Sequence, residues 1–179
     1  MSFEGFFKDI LSIPSPSGKE EGVALRVKEE FQTLGYDEII EAAGNVCGRR
    51  GNGPIKILYD AQMDVVEPGS GWEGDAYKPL LKDGRIIARG AADDKGPLTS
   101  MIYGGAEADV AGVTLYVLAS AMEEVSAGSA LEDFFRETDI RPDFVVIGEP
   151  SRNHVMLGSR GRVLLRADFA GEASHASNP

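Results

Sequence analysis

Residues 113–124 read VTLYVLASAMEE, an almost continuous apolar run that ends in two adjacent glutamates. A run of this kind, from Val113 to Ala119, is typical of a central strand buried on both faces of a sheet. Two further short apolar runs, Ile55 to Tyr59 and Phe144 to Ile147, are flanked by turn or polar residues and predict strands, the second of them also buried. We therefore expect a sheet to form the centre of the fold.

Segments with helical periodicity alternate with these strands. The predicted helices are Phe3 to Leu11, a helix that opens at Ser17–Glu20 and ends at Gly35, Pro97 to Ala108, and Ser129 to Glu137. Glu20 lies three residues after Ser17, the spacing of a capping box. Weaker strand candidates are Asp37 to Glu41, Asn45 to Arg49 and Arg85 to Ala88. Helices alternating with strands predict an α/β layered domain with a largely parallel central sheet.

Composition excludes several classes of protein. The chain has 179 residues and a net charge of −11, so a phosphate backbone would be repelled and nucleic acid is not an expected partner. A single cysteine, Cys47, permits neither an internal disulfide nor a cysteine-based zinc knot. The N-terminus lacks the pattern of a secretory signal, and no apolar segment approaches the roughly 18 residues of a membrane span. We expect a cytoplasmic protein without membrane partners.

Carboxylates follow the predicted strands. They are Asp60 and Asp64, Asp93 and Asp94, Glu123 and Glu124, and Glu149. Because sites in parallel α/β sheets form at the carboxyl ends of strands, we expect four successive strand ends to bring these groups to one edge. Like charges at close range need a cation between them to stay ionised, and carboxylates are normal ligands of Zn²⁺. The pattern therefore predicts a metal site.

Each group also has a simpler interpretation. Asp93 and Asp94 precede a helix, where acidic residues interact favourably with the helix dipole. Glu123 and Glu124 fit a solvated loop, and Glu149 before Pro150 fits a loop end. The metal-site interpretation depends on all of these groups falling at strand ends together.

The motifs themselves resemble a known family. They are Asp60-Ala61-Gln62-Met63-Asp64-Val65-Val66, Trp72, Asp83-Gly84-Arg85-Ile86, Arg89-Gly90-Ala91-Ala92-Asp93-Asp94-Lys95-Gly96, Met122-Glu123-Glu124, Gly148-Glu149-Pro150 and His175-Ala176-Ser177-Asn178-Pro179. In this order they resemble the aminoacylase and carboxypeptidase family of co-catalytic zinc hydrolases, which includes acetylornithine deacetylase, succinyl-diaminopimelate desuccinylase and glutamate carboxypeptidase. The resemblance implies a three-layer α/β/α zinc-peptidase-like domain over residues 1–160 and the start of an α+β lid and dimerisation domain over residues 161–179.

The resemblance also implies a role for each site residue. Asp93 would bridge two Zn²⁺ ions, with Co²⁺ or Mn²⁺ as substitutes, while Glu124 would bind one ion and Glu149 the other. Glu123 would be the general base that takes a proton from the attacking water. The remaining two roles concern orientation and charge. Asp64 would orient the ligand two residues before it, and His175 would steady the oxyanion in the partner subunit.

Two features depart from the family pattern. Gln62 replaces the family's histidine, and its neutral amide oxygen is a much poorer zinc ligand than imidazole. The family's last metal ligand is a histidine beyond the lid, and this chain stops at Pro179, in the middle of a unit. We therefore expect this chain to be the N-terminal part of a longer protein. Within this part each metal would lack one ligand, since Gln62 weakens the site of the Glu149 metal and the missing histidine weakens that of the Glu124 metal.

These features leave two functions open. The first is a metal-dependent hydrolase that cleaves an amide bond of N-acyl amino acids or short peptides and forms a homodimer through its lid. The second is a non-catalytic relative, in which Gln62 marks a degenerate metal site and the fold serves binding or dimerisation. Under either function, we expect the 179-residue chain alone to be inactive.

Overall fold

The computed structural model describes residues 2–126, 128–158, 161, 163, 165, 167 and 168. Its helices are α1 (Phe3–Leu11), α2 (Glu21–Thr33), α3 (Lys95–Glu107), α4 (Glu123–Ser126) and α5 (Ser129–Glu137). Its strands are β1 (Glu38–Ala42), β2 (Asn45–Gly51), β3 (Ile55–Gln62), β4 (Leu80–Lys82), β5 (Arg85–Ile87), β6 (Val113–Ser120) and β7 (Phe144–Ile147). The helices and strands predicted between Phe3 and Ile147 are all present, and α1, α5 and β7 have the predicted bounds.

Strand β6 lies at the middle of a five-stranded sheet of order β1-β2-β6-β3-β7. Strand β3 pairs in parallel with both β6 and β7, whereas β2 pairs antiparallel with both β1 and β6. Every residue of β6 after Val113 is buried, which confirms the predicted central strand. The sheet is therefore mixed, with its parallel half formed by β6, β3 and β7.

Helices cover both faces of this sheet, which confirms the α/β layered fold. On one face, α1, α2 and α3 supply Phe6, Phe31 and Ile102 to a cluster that also contains Val117 of β6. On the other face, Phe134 of α5 packs in a second cluster. Such apolar burial contributes about 25 cal/mol per Å² removed from water, so the two clusters are the main source of stability.

A close approach fixes one glycine in β2. A Cβ atom on Gly48 would lie 2.6 Å from the Tyr36 ring and 2.7 Å from the Phe31 ring. Because these aromatic side chains pack directly on the strand, a larger residue at this position would force them apart. Glycine therefore allows helix α2 to pack directly on the sheet.

Two predictions about strands are wrong. Strand β5 pairs with β4 in a separate two-stranded sheet and not in the central sheet. The side chains of β7 are exposed, from 47% at Val146 to 62% at Phe144, although the sequence predicts a buried strand. The reason is that β7 lies at the edge of the sheet, and neither apolar cluster includes its side chains.

Within the described part of the chain, no helix is long and apolar enough to cross a membrane.

Candidate active site

The carboxyl ends of the three parallel strands bring most of the predicted site residues to one edge of the sheet. Strand β3 ends at Gln62, which pairs with Ser120 at the end of β6, and Glu123 begins helix α4 directly after that strand. Glu149 follows β7, whose register with β3 pairs Ile147 with Asp60. Strand ends of this kind are where sites form in open α/β sheets.

Asp93 and Asp94 reach the same region by a different route from the predicted one. They immediately precede helix α3, and β5 before them is not part of the central sheet. Three strand ends and one helix start therefore supply the carboxylates, whereas the sequence predicts four strand ends.

Gln62 is 3% exposed and contacts two of these carboxylates. Its side-chain Nε2 donates to Glu124 Oε1 at 3.4 Å, and its backbone N–H donates to Asp94 Oδ2 at 3.3 Å. An imidazole at this position would offer a ring nitrogen to a metal, whereas the amide offers its NH₂ group to Glu124. The glutamine therefore ties two acidic groups together through hydrogen bonds.

Asp94 is the most deeply buried carboxylate of this edge apart from Asp64, with 1% exposure. The pKa of Asp94 is raised to about 8, first by burial and then by repulsion from Glu149, while the hydrogen bond from the Gln62 backbone N–H acts in the opposite direction. Its Oδ1 atom has no hydrogen-bond partner in the described structure. The resemblance assigns the bridging role to Asp93, which is exposed in this structure, whereas the neighbouring Asp94 is buried.

The pKa values of Asp60 and Glu149 are also raised, by burial and by neighbouring carboxylates. The pKa of Asp60 is raised to about 6, mainly by burial and to a smaller extent by repulsion from Glu123, while a hydrogen bond from Ser120 acts in the opposite direction. The pKa of Glu149 is also raised, first by partial desolvation and then by repulsion from Asp93, Glu123 and other carboxylates. Strand ends thus bring these groups within electrostatic range of one another.

The donor chemistry of this edge fits a divalent cation. Asp60 Oδ1 and Asp94 Oδ1 are buried carboxylate oxygens without partners in the described structure, and oxygen ligands suit divalent ions. However, no group of three or more His, Cys, Asp or Glu side chains among the described residues is arranged so that it could hold a metal ion. Binding an ion between Asp93, Glu124 and Glu149 would therefore require these groups to move from the positions they have here.

Asp64 is completely buried and accepts three hydrogen bonds from neighbouring segments. It accepts hydrogen bonds from the Ser17 hydroxyl at 2.7 Å, from the Glu123 N–H at 3.1 Å and from the Glu124 N–H at 3.2 Å. In this structure the carboxylate therefore orients the backbone of the Glu123–Glu124 pair.

The predicted capping box is wrong. The N-cap of α2 is Glu20, which makes no side-chain cap hydrogen bond, and the Ser17 hydroxyl donates to Asp64 instead. Glu20 Oε1 accepts from the backbone N–H groups of Gly18 and Met122. The spacing is that of a local cap, but the Ser17 hydroxyl and one of the two Glu20 hydrogen bonds connect to the site region instead.

Lys95 is a feature that the sequence analysis missed. Its side chain is fully buried, and Nζ donates to the carbonyl oxygens of Ile10 at 2.8 Å and Ile13 at 2.9 Å. Burial lowers the pKa of Lys95 to about 7. The residue after Asp94 thus connects the site directly to the C-terminal end of α1.

Two predicted features, His175 and the lid, lie wholly or largely outside the residues that the structure describes. His175 falls outside the described residues, and of the predicted lid, residues 161–179, only five positions are described. Both stay predictions.

Comparison with known proteins supports the resemblance. The protein YgeY of Escherichia coli (strain K12) is 36% identical over 181 residues, covering 97% of this chain and 45% of YgeY. A putative [LysW]-lysine/[LysW]-ornithine hydrolase of Pyrobaculum aerophilum is 33% identical over 173 residues, covering 96% of this chain and 48% of the hydrolase. The chain thus spans about half the length of the curated relatives it matches.

Solved structures support the same fold. The M20 family metallo-carboxypeptidase Sso-CP2 from Sulfolobus solfataricus superposes with a TM-score of 0.69 at 23% identity, covering 83% of this chain and 37% of that chain. The family description "Peptidase family M20/M25/M40" matches residues 58–162, the part that contains the described carboxylates of the site. Because this match covers more than half of the sequence, the chain belongs to peptidase family M20/M25/M40.

Proposed function

We propose that this chain carries the carboxylate-bearing part of a metal-dependent hydrolase that cleaves an amide bond of N-acyl amino acids or short peptides. The observation that supports it best is the convergence of Asp60, Asp94 and Glu149, all with raised pKa values, at one edge of the sheet. Maintaining several carboxylates at such close range costs free energy unless a cation neutralises them. Groups with strongly shifted pKa values cluster at functional sites, where their chemistry is used.

The residues divide into metal ligands and one proton carrier. Asp93, Glu124 and Glu149 would hold the metal, and Gln62 would take the place of the family histidine. When bound, a divalent cation polarises the substrate carbonyl and lowers the pKa of water. Glu123, one residue before a ligand, would take the proton of the attacking water and deliver it to the leaving amine.

The class of substrate is supported by the names of related proteins. The Pyrobaculum relative is named a hydrolase of [LysW]-lysine and [LysW]-ornithine, and the Sulfolobus structure is a metallo-carboxypeptidase. Both names describe cleavage next to an amino acid. Zinc as the metal, a homodimer formed through the lid, the role of His175 and a cytoplasmic location remain predictions of the same proposal.

One observation favours a second candidate, a non-catalytic relative. Gln62 donates to Glu124 and therefore competes with any cation for that carboxylate. A glutamine at this position lowers metal affinity both by offering a weak ligand and by occupying a strong one. Under this candidate, the fold serves binding or dimer formation.

The two candidates differ in metal content and turnover. The full-length protein that contains this chain, purified and metal-replete, would be analysed for bound metal by mass spectrometry and for amine release from N-acetyl amino acids and dipeptides. The variants are Glu123→Gln, Gln62→His and the exposed control Glu107→Gln. The hydrolase proposal expects turnover that Glu123→Gln abolishes and Glu107→Gln retains. Turnover that appears only in Gln62→His supports the second candidate, and absence of both metal and turnover in every form refutes the first.

A further inference from the structure

Four consecutive backbone N–H groups, those of residues 121–124, each donate to a side-chain oxygen from another part of the chain. Asn45 Oδ1 accepts from Ala121 at 3.0 Å, and Glu20 Oε1 accepts from Met122 at 3.0 Å. The two carboxylate oxygens of Asp64 accept from the next two residues at 3.1 and 3.2 Å. All three acceptor side chains are buried. The backbone that presents Glu123 and Glu124 is therefore held along its whole length.

This backbone would not adopt its conformation unaided. Met122 has a φ of 58°, a left-handed conformation that side-chain-bearing residues rarely take. The first N–H groups of a helix also have no partner within the helix, so those of Glu123 and Glu124 need outside acceptors. External hydrogen bonds thus stabilise a loop whose local sequence does not favour it.

The loop between α1 and α2 also forms hydrogen bonds with the segment that follows strand β3. The Ser15 hydroxyl donates to the Met63 carbonyl at 2.8 Å, and the Val65 N–H donates to the Ser15 carbonyl at 2.9 Å. The Ser17 hydroxyl then supplies Asp64 with its side-chain donor at 2.7 Å. The loop therefore bonds to the site region at two points, through Ser17 to Asp64 and through Glu20 to the Met122 N–H.

We propose that Ser17 and Glu20 are positioning residues for the Glu123–Glu124 pair. The inference rests on the proposed function, because it concerns the alignment of the group that moves the proton. Ser17 acts through the carboxylate of Asp64, and Glu20 acts through the N–H of Met122. Their contribution is to fix the direction in which the two glutamate side chains leave the backbone.

Paired variants separate the hydrogen bond from the rest of the side chain. Ser17→Ala removes the donor to Asp64, whereas Ser17→Thr retains a hydroxyl. Glu20→Ala removes the acceptor for Met122, whereas Glu20→Gln retains an oxygen. The control is Thr33→Ala, which deletes a hydroxyl that bonds only within α2, to the Glu29 carbonyl at 2.9 Å.

Two readouts apply to every variant. The first is hydrogen exchange of the amides of residues 121–124, which requires no turnover. The second readout is amide hydrolysis by the full-length protein, with kcat and KM determined separately. Ser17→Ala and Glu20→Ala should speed exchange at these amides and lower kcat by about tenfold with KM within about twofold, as for other residues that orient ligands. The Thr and Gln variants should recover most of both.

The two readouts distinguish failure of the positioning role from failure of the proposed hydrolase function. The positioning role is refuted if Ser17→Ala leaves amide protection and kcat unchanged, or if Thr33→Ala reduces kcat equally. Faster exchange in a protein whose wild type hydrolyses nothing would support the backbone contacts and reject the proposed function. Faster exchange with unchanged kcat would reject the positioning role alone.

Discussion

Replacing Asp94 by asparagine should stabilise the metal-free protein at pH 8 and change little at pH 4. The Asp94 carboxyl is 1% exposed, lacks a partner for Oδ1 and lies close to Glu149. Asparagine retains an oxygen that can accept from the Gln62 N–H, so the substitution removes the negative charge and preserves most of the shape. The difference in the free energy of unfolding between the wild type and Asp94→Asn should therefore measure what it costs to bury the negative charge.

The magnitude follows from the two pKa values. The pKa is raised from 3.8 in the unfolded chain to about 8 in the folded protein. Between these values the folded state binds the proton and the unfolded state does not, so stability falls as pH rises. Each pH unit corresponds to about 1.4 kcal/mol, which gives a loss of about 6 kcal/mol across the window as an upper value. That is comparable with the whole stability of many domains, about 5–15 kcal/mol.

Urea denaturation in the presence of a chelator, at pH 4, 6 and 8, measures this directly. The free energy of unfolding of the wild type should fall steadily over this range, and that of Asp94→Asn should fall much less. Asp83→Asn, an exposed aspartate in the turn between β4 and β5, is the matched control and should follow the wild type. Equal stability of wild type and Asp94→Asn at pH 8 would refute the reasoning.

Three other outcomes follow from packing and charge. Phe134→Ala should lower the free energy of unfolding by about 3–5 kcal/mol in urea, since its fully buried ring fills the cluster beneath α5. Gly53→Ala should destabilise by about 2 kcal/mol because its Cβ would lie 2.1 Å from backbone, whereas Gly104→Ala in α3, with open space around it, should stabilise by about 0.5–1 kcal/mol. Zn²⁺ or Mn²⁺ should stabilise the protein at pH 7.5 by about 2.7 kcal/mol at a hundred times its Kd, and Glu149→Gln should reduce this gain in thermal melts.

The parts of the fold that could be predicted from sequence depend on local patterns. An apolar run between turn signals identified β3 and β6, and helical periodicity identified α1 and α5 to the residue. These patterns reflect the burial of one face or both, which neighbouring residues largely determine. The approach of carboxylates to one edge followed from the same strand ends.

The parts that could not be predicted depend on distant partners. The Ser17-to-Glu20 spacing matches a capping box, but Ser17 bonds to Asp64 and Glu20 to Met122, partners 47 and 102 residues away. An apolar run likewise predicts burial of β7 without indicating that the strand lies at the sheet edge. The pattern around Asp93 and Asp94 does not indicate which of the two side chains faces the interior.

The contact between Lys95 and the first helix has a consequence for any shortened form of the protein. Helix α1 is distant in sequence from the site, so it would look dispensable to anyone trimming the N-terminus. Deleting residues 2–13 would remove both carbonyl acceptors of the Lys95 ammonium together with the buried side chains of Phe6 and Ile10, so Lys95, the residue after Asp94, would lose the contacts that hold it in place. Such a truncation should disturb the acidic edge itself, although none of the deleted residues belongs to it.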